Sequence, residues 1–177
     1  MQAAAVLFQK QGYAATGVAQ VIAESGTPKG SFYFNFPGGK EELAREAITF
    51  AGGQLAAGID QLAAAASNPR QFLRSLTAAL AAGLEASDFS RGCPVATVAL
   101  ETATSSESLR RTADEQFRAW ENAIARGLAG GAAPGSGDRE LATQVLMLIE
   151  GALIMARVRR TTAPLHDLGR LIALPGA

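Results

Sequence analysis

The chain is poor in the residues that most site chemistry needs: it holds one cysteine and one histidine, and its 16 basic side chains are balanced by 16 acidic ones. A single cysteine excludes an internal disulfide and fits a reducing cytosol, so a cytoplasmic protein is expected. The one histidine, His166, cannot make a His-rich metal site, and a Ser-His-Asp triad lacks its parts unless that residue carries everything. His166 is read as a surface residue, and no metal or cofactor is expected. Residues 1–50 hold four basic and four acidic side chains, so that segment lacks the broad basic stripe that long-range attraction to a polyanion would use. No charged region precedes an apolar one at the N-terminus, so no signal peptide is expected. The longest apolar stretch, LATQVLMLIEGALIMA at 141–156, is interrupted by Gln144 and Glu150 and falls short of the roughly 20 residues that span a bilayer. No membrane partner is expected. Alternating strand patterns and internal repeats are absent too, which leaves an all-α fold.

What the chain does have is helical punctuation. In residues 16–40, TGVAQVIAESGTPKGSFYFNFPGGK, the side chains Val18, Val21 and Ile22 stand at i, i+3 and i+4 and form one apolar stripe on a short helix. Thr16 stands where its N-cap belongs. Ser25-Gly26 breaks the chain, because glycine takes the positive backbone angle that a sharp helix-to-helix turn requires. Thr27-Pro28 reopens it, with a hydroxyl N-cap followed by proline at the first helical position. On this second helix Phe32 and Phe36 face the core. Lys29, Ser31, Tyr33 and Asn35 then point outward, a row of one cation, two hydroxyls and an amide able to contact base edges and phosphates. The pattern reads as a duplex-DNA reader. Gly38-Gly39-Lys40 superficially suggests a phosphate loop, yet Glu41 stands where Ser or Thr must hold Mg²⁺ and no strand precedes it, so nucleotide hydrolysis is ruled out. Glu41 and Glu42 instead complement the dipole of the next helix, while Lys40 and the backbone N–H groups beside it can grip a phosphate.

The run GTPKGSFYFNFPGGKEEL resembles the reading motif of the tetracycline repressor (TetR) family of bacterial transcription regulators, and the likeness covers residues 3–50, including LFQKQGY. PGGKEEL, together with RGCPVATVALE at 91–101, is similar to a smaller branch, the lincomycin-resistance regulators. The resemblance implies an N-terminal three-helix helix-turn-helix domain at 1–50 and a C-terminal helical ligand-binding and dimerisation domain at 51–177. It places Leu7 and Phe8 against the reading helices, ends the first helix at Gly12 and makes Phe32 core. Tyr33 and Lys40 should hold the phosphate backbone, with Lys29, Ser31 and Asn35 nearest the bases. Thr16, Thr27 and Pro28 complete the expected DNA-binding set. Met1 falls inside the first helix of the family pattern with no basic arm ahead of it: either the sequence begins late or the minor-groove arm is lacking. Residues 1–50 set Lys10, Lys29, Lys40 and Arg45 against Glu24, Glu41, Glu42 and Glu46. Phosphate neutralisation supplies much of DNA affinity, so binding must lean on a few well-placed cations, helix N-termini and two-fold avidity.

Beyond residue 40 the periodicity stays helical. Leu43, Ala47, Ala51, Leu55, Ile59 and Leu62 share one face of a long helix from Glu41 to about Ala66, which Asn68-Pro69 ends. Phe72, Leu73, Leu76, Leu80 and Leu84 mark the next, closed by Ser87-Asp88, and Gly92-Cys93-Pro94 opens another through 95–103. Leu109, Ala113, Phe117, Trp120, Ile124 and Leu128 predict a helix at 105–128; GGAAPGSG at 130–137 is a linker. Asp138 should cap a helix running to about Arg160, and Leu165, Leu168, Leu171 and Ile172 suggest a short last one.

Wide apolar faces on the two long C-terminal helices predict an association surface, and the family resemblance makes 105–128 and 138–160 a four-helix homodimer interface. Ala142, Gly151, Ala152 and Ala156 would let helices approach closely, or are ordinary core fillers. Phe72, Leu76, Phe89, Trp120, Met147 and Met155 are the candidate lining of an effector site for a small hydrophobic or aromatic compound, against a plain core role for each. Glu150 lies alone in an apolar run and needs a partner, for which Arg157, Arg159 and Arg160 are candidates. Cys93 at a helix start invites a redox-sensor reading, but composition favours a small buried hydrophobe. These features predict a non-enzymatic regulator: a homodimeric repressor that binds double-stranded palindromic DNA and is released by an effector through the helix at 41–66. An α-helical enzyme or carrier with a look-alike N-terminus, and an architectural DNA binder without effector, are the alternatives.

Overall fold

The computed structural model describes residues 1–171, with side chains up to Leu168; all regular structure among these residues is helical. Helix α1 spans Gln2–Gln11, α2 Val18–Ser25, α3 Lys29–Asn35, α4 Gly39–Ala65 and α5 Pro69–Ala86. Helix α6 spans Ala96–Thr102, α7 Glu107–Leu128, α8 Ser136–Arg159 and α9 Ala163–Leu171. The all-α expectation holds. Of the residues predicted to build the last helix, Leu165 and Leu168 are buried, while Ile172 and the side chain of Leu171 lie outside the described residues.

The stop signals behave as their chemistry requires. Gly12 ends α1 at φ 81°, its N–H donating to the Phe8 carbonyl, and Gly26 ends α2 in the left-handed region at φ 66°. A side chain with a Cβ pays about 1 kcal/mol or more for that backbone shape. Asn68 caps α5, its side-chain oxygen accepting from the Gln71 N–H at 2.9 Å, and Pro69 follows in the first turn. Three predicted caps move. Gly17, not Thr16, is the N-cap of α2; Pro28, not Thr27, precedes α3; and Asp138 sits one turn inside α8, where its carboxylate accepts the Gly135 N–H at 2.8 Å.

The fold divides into two compact units. The first joins Met1–Gln54 to Cys93–Phe117, and the second joins Leu55–Gly92 to the residues from Arg118 onward, so the division falls inside α4 and α7. In the first unit Leu7 and Phe8 of α1, Val21 of α2, Phe32 of α3, Leu43 and Ile48 of α4, and Val95 and Val98 beside and within α6 make the core. In the second, α9 packs on α5 and α8, and Phe72, Leu76, Trp120, Ile124, Val145 and Leu165 are buried. Each large apolar side chain so buried contributes about 1.5–3 kcal/mol. Gly127 of α7 has the ring of Phe72 where a Cβ would stand, so any larger residue there forces the two helices apart. Across the same unit the Arg126 guanidinium makes two parallel hydrogen bonds to the Asp60 carboxylate, both 2.9 Å.

Helix α8 corrects one expectation. It runs 24 residues, and its most apolar 18-residue window has a mean hydropathy of 1.6, so length and composition alone would let it cross a bilayer. Ala142, Val145, Leu146, Ile149, Ala152, Leu153 and Ala156 are buried along it, which is the pattern of a core helix with one apolar side left over.

Candidate nucleic-acid interface

The interface is built on α2, the Ser25–Pro28 turn and α3. Phe32 anchors α3 by burial, with Tyr33 edge-on to its ring at 5.2 Å and Phe36 tilted against it at 5.3 Å. Once Phe32 points inward, helical geometry turns Phe34 to the opposite side with Tyr33 between them, while Lys29 and Asn35 lie on the flanks, and all four are exposed. Ser31 is half-buried, and its carbonyl accepts from the Asn35 amide at 2.7 Å while its hydroxyl lies 3.3 Å from the same nitrogen. The Asn35 amide nitrogen thus bonds back to Ser31 on the free surface. Thr27 and Pro28 are exposed at the helix start, where the Thr27 N–H donates to the Ser25 hydroxyl at 3.3 Å.

Phe34 is the residue that sequence reasoning missed. It is 86% exposed, the most exposed large apolar side chain of this segment. The signal was available: two residues from Phe32 is the opposite side of a helix, so an aromatic run does not place every ring in the core.

Two sequence expectations are revised at the edges of the motif. Thr16 is 1% exposed, and its hydroxyl donates to the Gly12 carbonyl at 2.7 Å, which makes its side chain part of the α1–α2 turn. Lys40 is half-buried; its ammonium donates to the Ala14 carbonyl at 3.3 Å and stands 4.4 Å from the centre of the Tyr13 ring. Burial and the Glu41 charge together push the Tyr13 hydroxyl pKa up from 10.0, so Tyr13 stays neutral beneath that cation. Two of the backbone amides beside Lys40 are also occupied: Gly38 N–H donates to the Glu42 carboxylate at 2.8 Å and Gly39 N–H to the Phe36 carbonyl at 2.9 Å. Arg45 pairs with Glu42 at 3.7 Å and Glu46 at 3.1 Å. Lys29 is therefore the cation of the motif that stands out on the reading face.

The proposed effector residues separate into three groups. Phe72, Leu76 and Trp120 are buried in the second unit. Phe89 is half-buried at φ 57°, with the Arg160 guanidinium 5.9 Å from its ring centre and Arg157 donating to its carbonyl at 3.4 Å. Met147 and Met155 are 63% and 43% exposed, which corrects the expectation that they line an interior site. They belong instead to an outward stripe on α8 with Leu148, Ile154 and Val158. Arg157 also donates to the Ser90 carbonyl, and Arg160 pairs with Asp88, so these arginines tie down the segment after α5. Cys93 is buried, and its sulfur accepts from the Ala96 N–H at 3.3 Å.

Comparison with known proteins agrees with this geometry. Residues 1–47 match the bacterial regulatory proteins of the tetR family, and residues 69–171 match the C-terminal domain of LmrA/YxaF-like transcriptional regulators. The uncharacterized HTH-type transcriptional regulator YxaF of Bacillus subtilis is 36% identical over 165 residues, covering 93% of this chain and 86% of that protein. The HTH-type transcriptional regulator LmrA of the same organism is 34% identical over 172 residues, covering 97% and 92%. Among solved structures, the regulatory protein TetR from Rhodobacter sphaeroides shares the fold with a TM-score of 0.83 at 24% identity, over 96% of this chain and 92% of that one. A cysteine mutant of the TetR-family regulator CifR, solved with a 26 bp double-strand operator DNA, has a TM-score of 0.73 at 26% identity, over 97% and 94%. The chain is a DNA-binding transcriptional regulator, not an enzyme, and belongs to the TetR family with a C-terminal domain of the LmrA/YxaF-like kind.

Proposed function

We propose that the protein is a cytoplasmic, ligand-released repressor that binds a palindromic operator as a homodimer. The observation that carries the reading is the outward face of α3, where Lys29, Tyr33, Phe34 and Asn35 stand exposed on a helix whose other side is anchored by Phe32. Lys29, Ser31 and Asn35 read base edges; Tyr33, Thr27, Pro28 and Lys40 position the phosphate backbone. Lys40 must exchange part of its bonding with Ala14 for a phosphate, and a lysine has three donors with which to do so. Residues 1–50 carry the reading function and 51–177 pairing and effector binding.

The exposed apolar stripe of α8 supports the homodimer. An exposed apolar stripe on a long helix gains from being covered, and a second copy supplies the same stripe under two-fold symmetry. Two reading helices then meet half-sites roughly 34–36 Å apart. The effector is a small hydrophobic or aromatic compound held near Trp120, Phe72, Leu76 and Phe89, and it acts only by binding the DNA-incompetent state more tightly. Selection of bound fragments from genomic DNA by the purified protein tests the reading: an inverted repeat beside a controlled gene is expected, and recovery of fragments without a shared sequence would overturn it. Trp120 fluorescence in the dimer reports the effector, whose addition should lower operator affinity.

A further inference from the structure

The turn between α1 and α2 is held by groups that lie far away in sequence. Ala14 is gripped at both ends of its backbone: its N–H donates to the Glu101 carboxylate at 2.7 Å, and its carbonyl accepts from Lys40 at 3.3 Å. Gly12, at φ 81°, places its open side against the same Glu101 carboxylate, which occupies the space where a Cβ would stand. Glu101 closes the RGCPVATVALE string, and that string explains how it gets there. Val95, Val98 and Thr102 are buried at helical spacing, so Glu101 emerges on the flank of α6 that meets α1. One turn further on, the Ser106 hydroxyl donates to Glu41 at the start of α4, 2.8 Å away. Residues within the C-terminal family match, 69–171, thus hold the first turn of the reader.

We infer that Glu101 is a positioning residue for operator binding: by accepting the Ala14 N–H it fixes the α1–α2 turn, and with it the placement of α2 and α3. The inference rests on the DNA-reading function proposed above. A carboxylate accepting a backbone N–H is among the stronger hydrogen bonds, and the exclusion of a Cβ at Gly12 makes the fit specific rather than merely attractive. The sign of its effect separates it from general electrostatics. Removing a negative charge from a DNA-reading unit should by Coulomb's law tighten binding to a polyanion, whereas loss of the grip on Ala14 weakens it.

The test uses the full-length dimer and a fluorescent duplex of the operator recovered by genomic selection, read by anisotropy, with amide exchange at Ala14 followed by NMR on the free protein. Glu101→Ala should weaken operator binding about tenfold with an unchanged salt slope and should speed Ala14 exchange, leaving amides of α8 protected. Glu101→Gln keeps a carbonyl acceptor without the charge and should bind as the parent or more tightly. Gly12→Ala displaces the carboxylate, so the double variant Gly12→Ala, Glu101→Ala should bind no more weakly than Gly12→Ala alone. Parent-like binding by Glu101→Ala, unchanged Ala14 exchange, or additive losses in the double variant would overturn the inference. If the parent protein binds no duplex, the reader fails as a proposal, and the Ala14 exchange rate in Glu101→Ala still decides whether this carboxylate holds the turn.

Discussion

Helices α3 and α8 both bury one side and expose the other, and the chemistry of the two exposed sides is opposite. On α3 the outward residues are a lysine, a tyrosine, an asparagine and one phenylalanine; on α8 they are Met147, Leu148, Ile154, Met155 and Val158. Exposure alone therefore says little about what a surface meets. Polar and cationic groups on a seven-residue helix suit a hydrated, charged partner whose bases must be read in the open. An apolar stripe on a 24-residue helix suits a partner that excludes water, since each such side chain left in water forgoes about 1.5–3 kcal/mol of burial. One helix is short and held mainly by Phe32, the other long and packed along its length. A reading element must reach outward, whereas a pairing element must also be part of its own core.

The comparison can be broken most severely on α8. Ile154→Glu places a carboxylate in the proposed pairing stripe, and two copies across a two-fold axis would face each other. Sedimentation should show monomers, and operator affinity should fall ~10²-fold or more as the avidity between half-sites is lost. A variant that stays dimeric would remove α8 from the interface. On α3, Lys29→Ala should leave the dimer intact, cost about 1–3 kcal/mol on the preferred operator and relax the choice of one base pair per half-site. Uniform weakening on every sequence would make Lys29 a phosphate contact instead. Lys40→Ala should weaken all duplexes alike and reduce the salt slope by ~0.9 for each phosphate contact removed, with a small loss of thermal stability because the Ala14 carbonyl loses its donor.

The smallest effect lies on neither face. Arg110 and Arg111 hydrogen-bond the exposed Glu107 carboxylate and hold its pKa down at about 2. A depressed carboxylate stabilises the fold above its ordinary pKa, and that contribution disappears as pH falls from the ordinary value of 4.5 toward 2. Melting curves of Glu107→Gln should therefore lack this part of the acid limb, with operator affinity and dimerisation unmoved at neutral pH.

Several elements were legible because a local rule acted alone. Asn68-Pro69 opens α5 and Gly26 ends α2 as short-range stereochemistry demands, and the i, i+3, i+4 pattern placed Val21 and Phe32 inside. The misses fall where two local rules compete or where a pattern has no phase. Thr16 could cap forward onto α2 or bond backward to Gly12, and its burial selected the latter. Helix α8 carries apolar residues around its whole circumference, so periodicity could not tell Met147 and Met155 from Val145 and Leu153; burial of one side in the tertiary fold decided that. Trp120 was offered as ligand or core, and its 1% exposure is the burial that a core residue and a residue lining an enclosed site share.

By itself the amino-acid order determined an all-helical chain, the reading motif between Thr16 and Lys40, and the family, because these depend on spacings of a few residues and on backbone angles that glycine and proline dictate. Tertiary structure alone decided that Cys93–Phe117 folds with the N-terminal residues, bringing Glu101 to Ala14 across 87 positions, and which side of α8 faces water. Contacts between distant segments are chosen by mutual burial of surfaces, and no local spacing encodes which surfaces will meet.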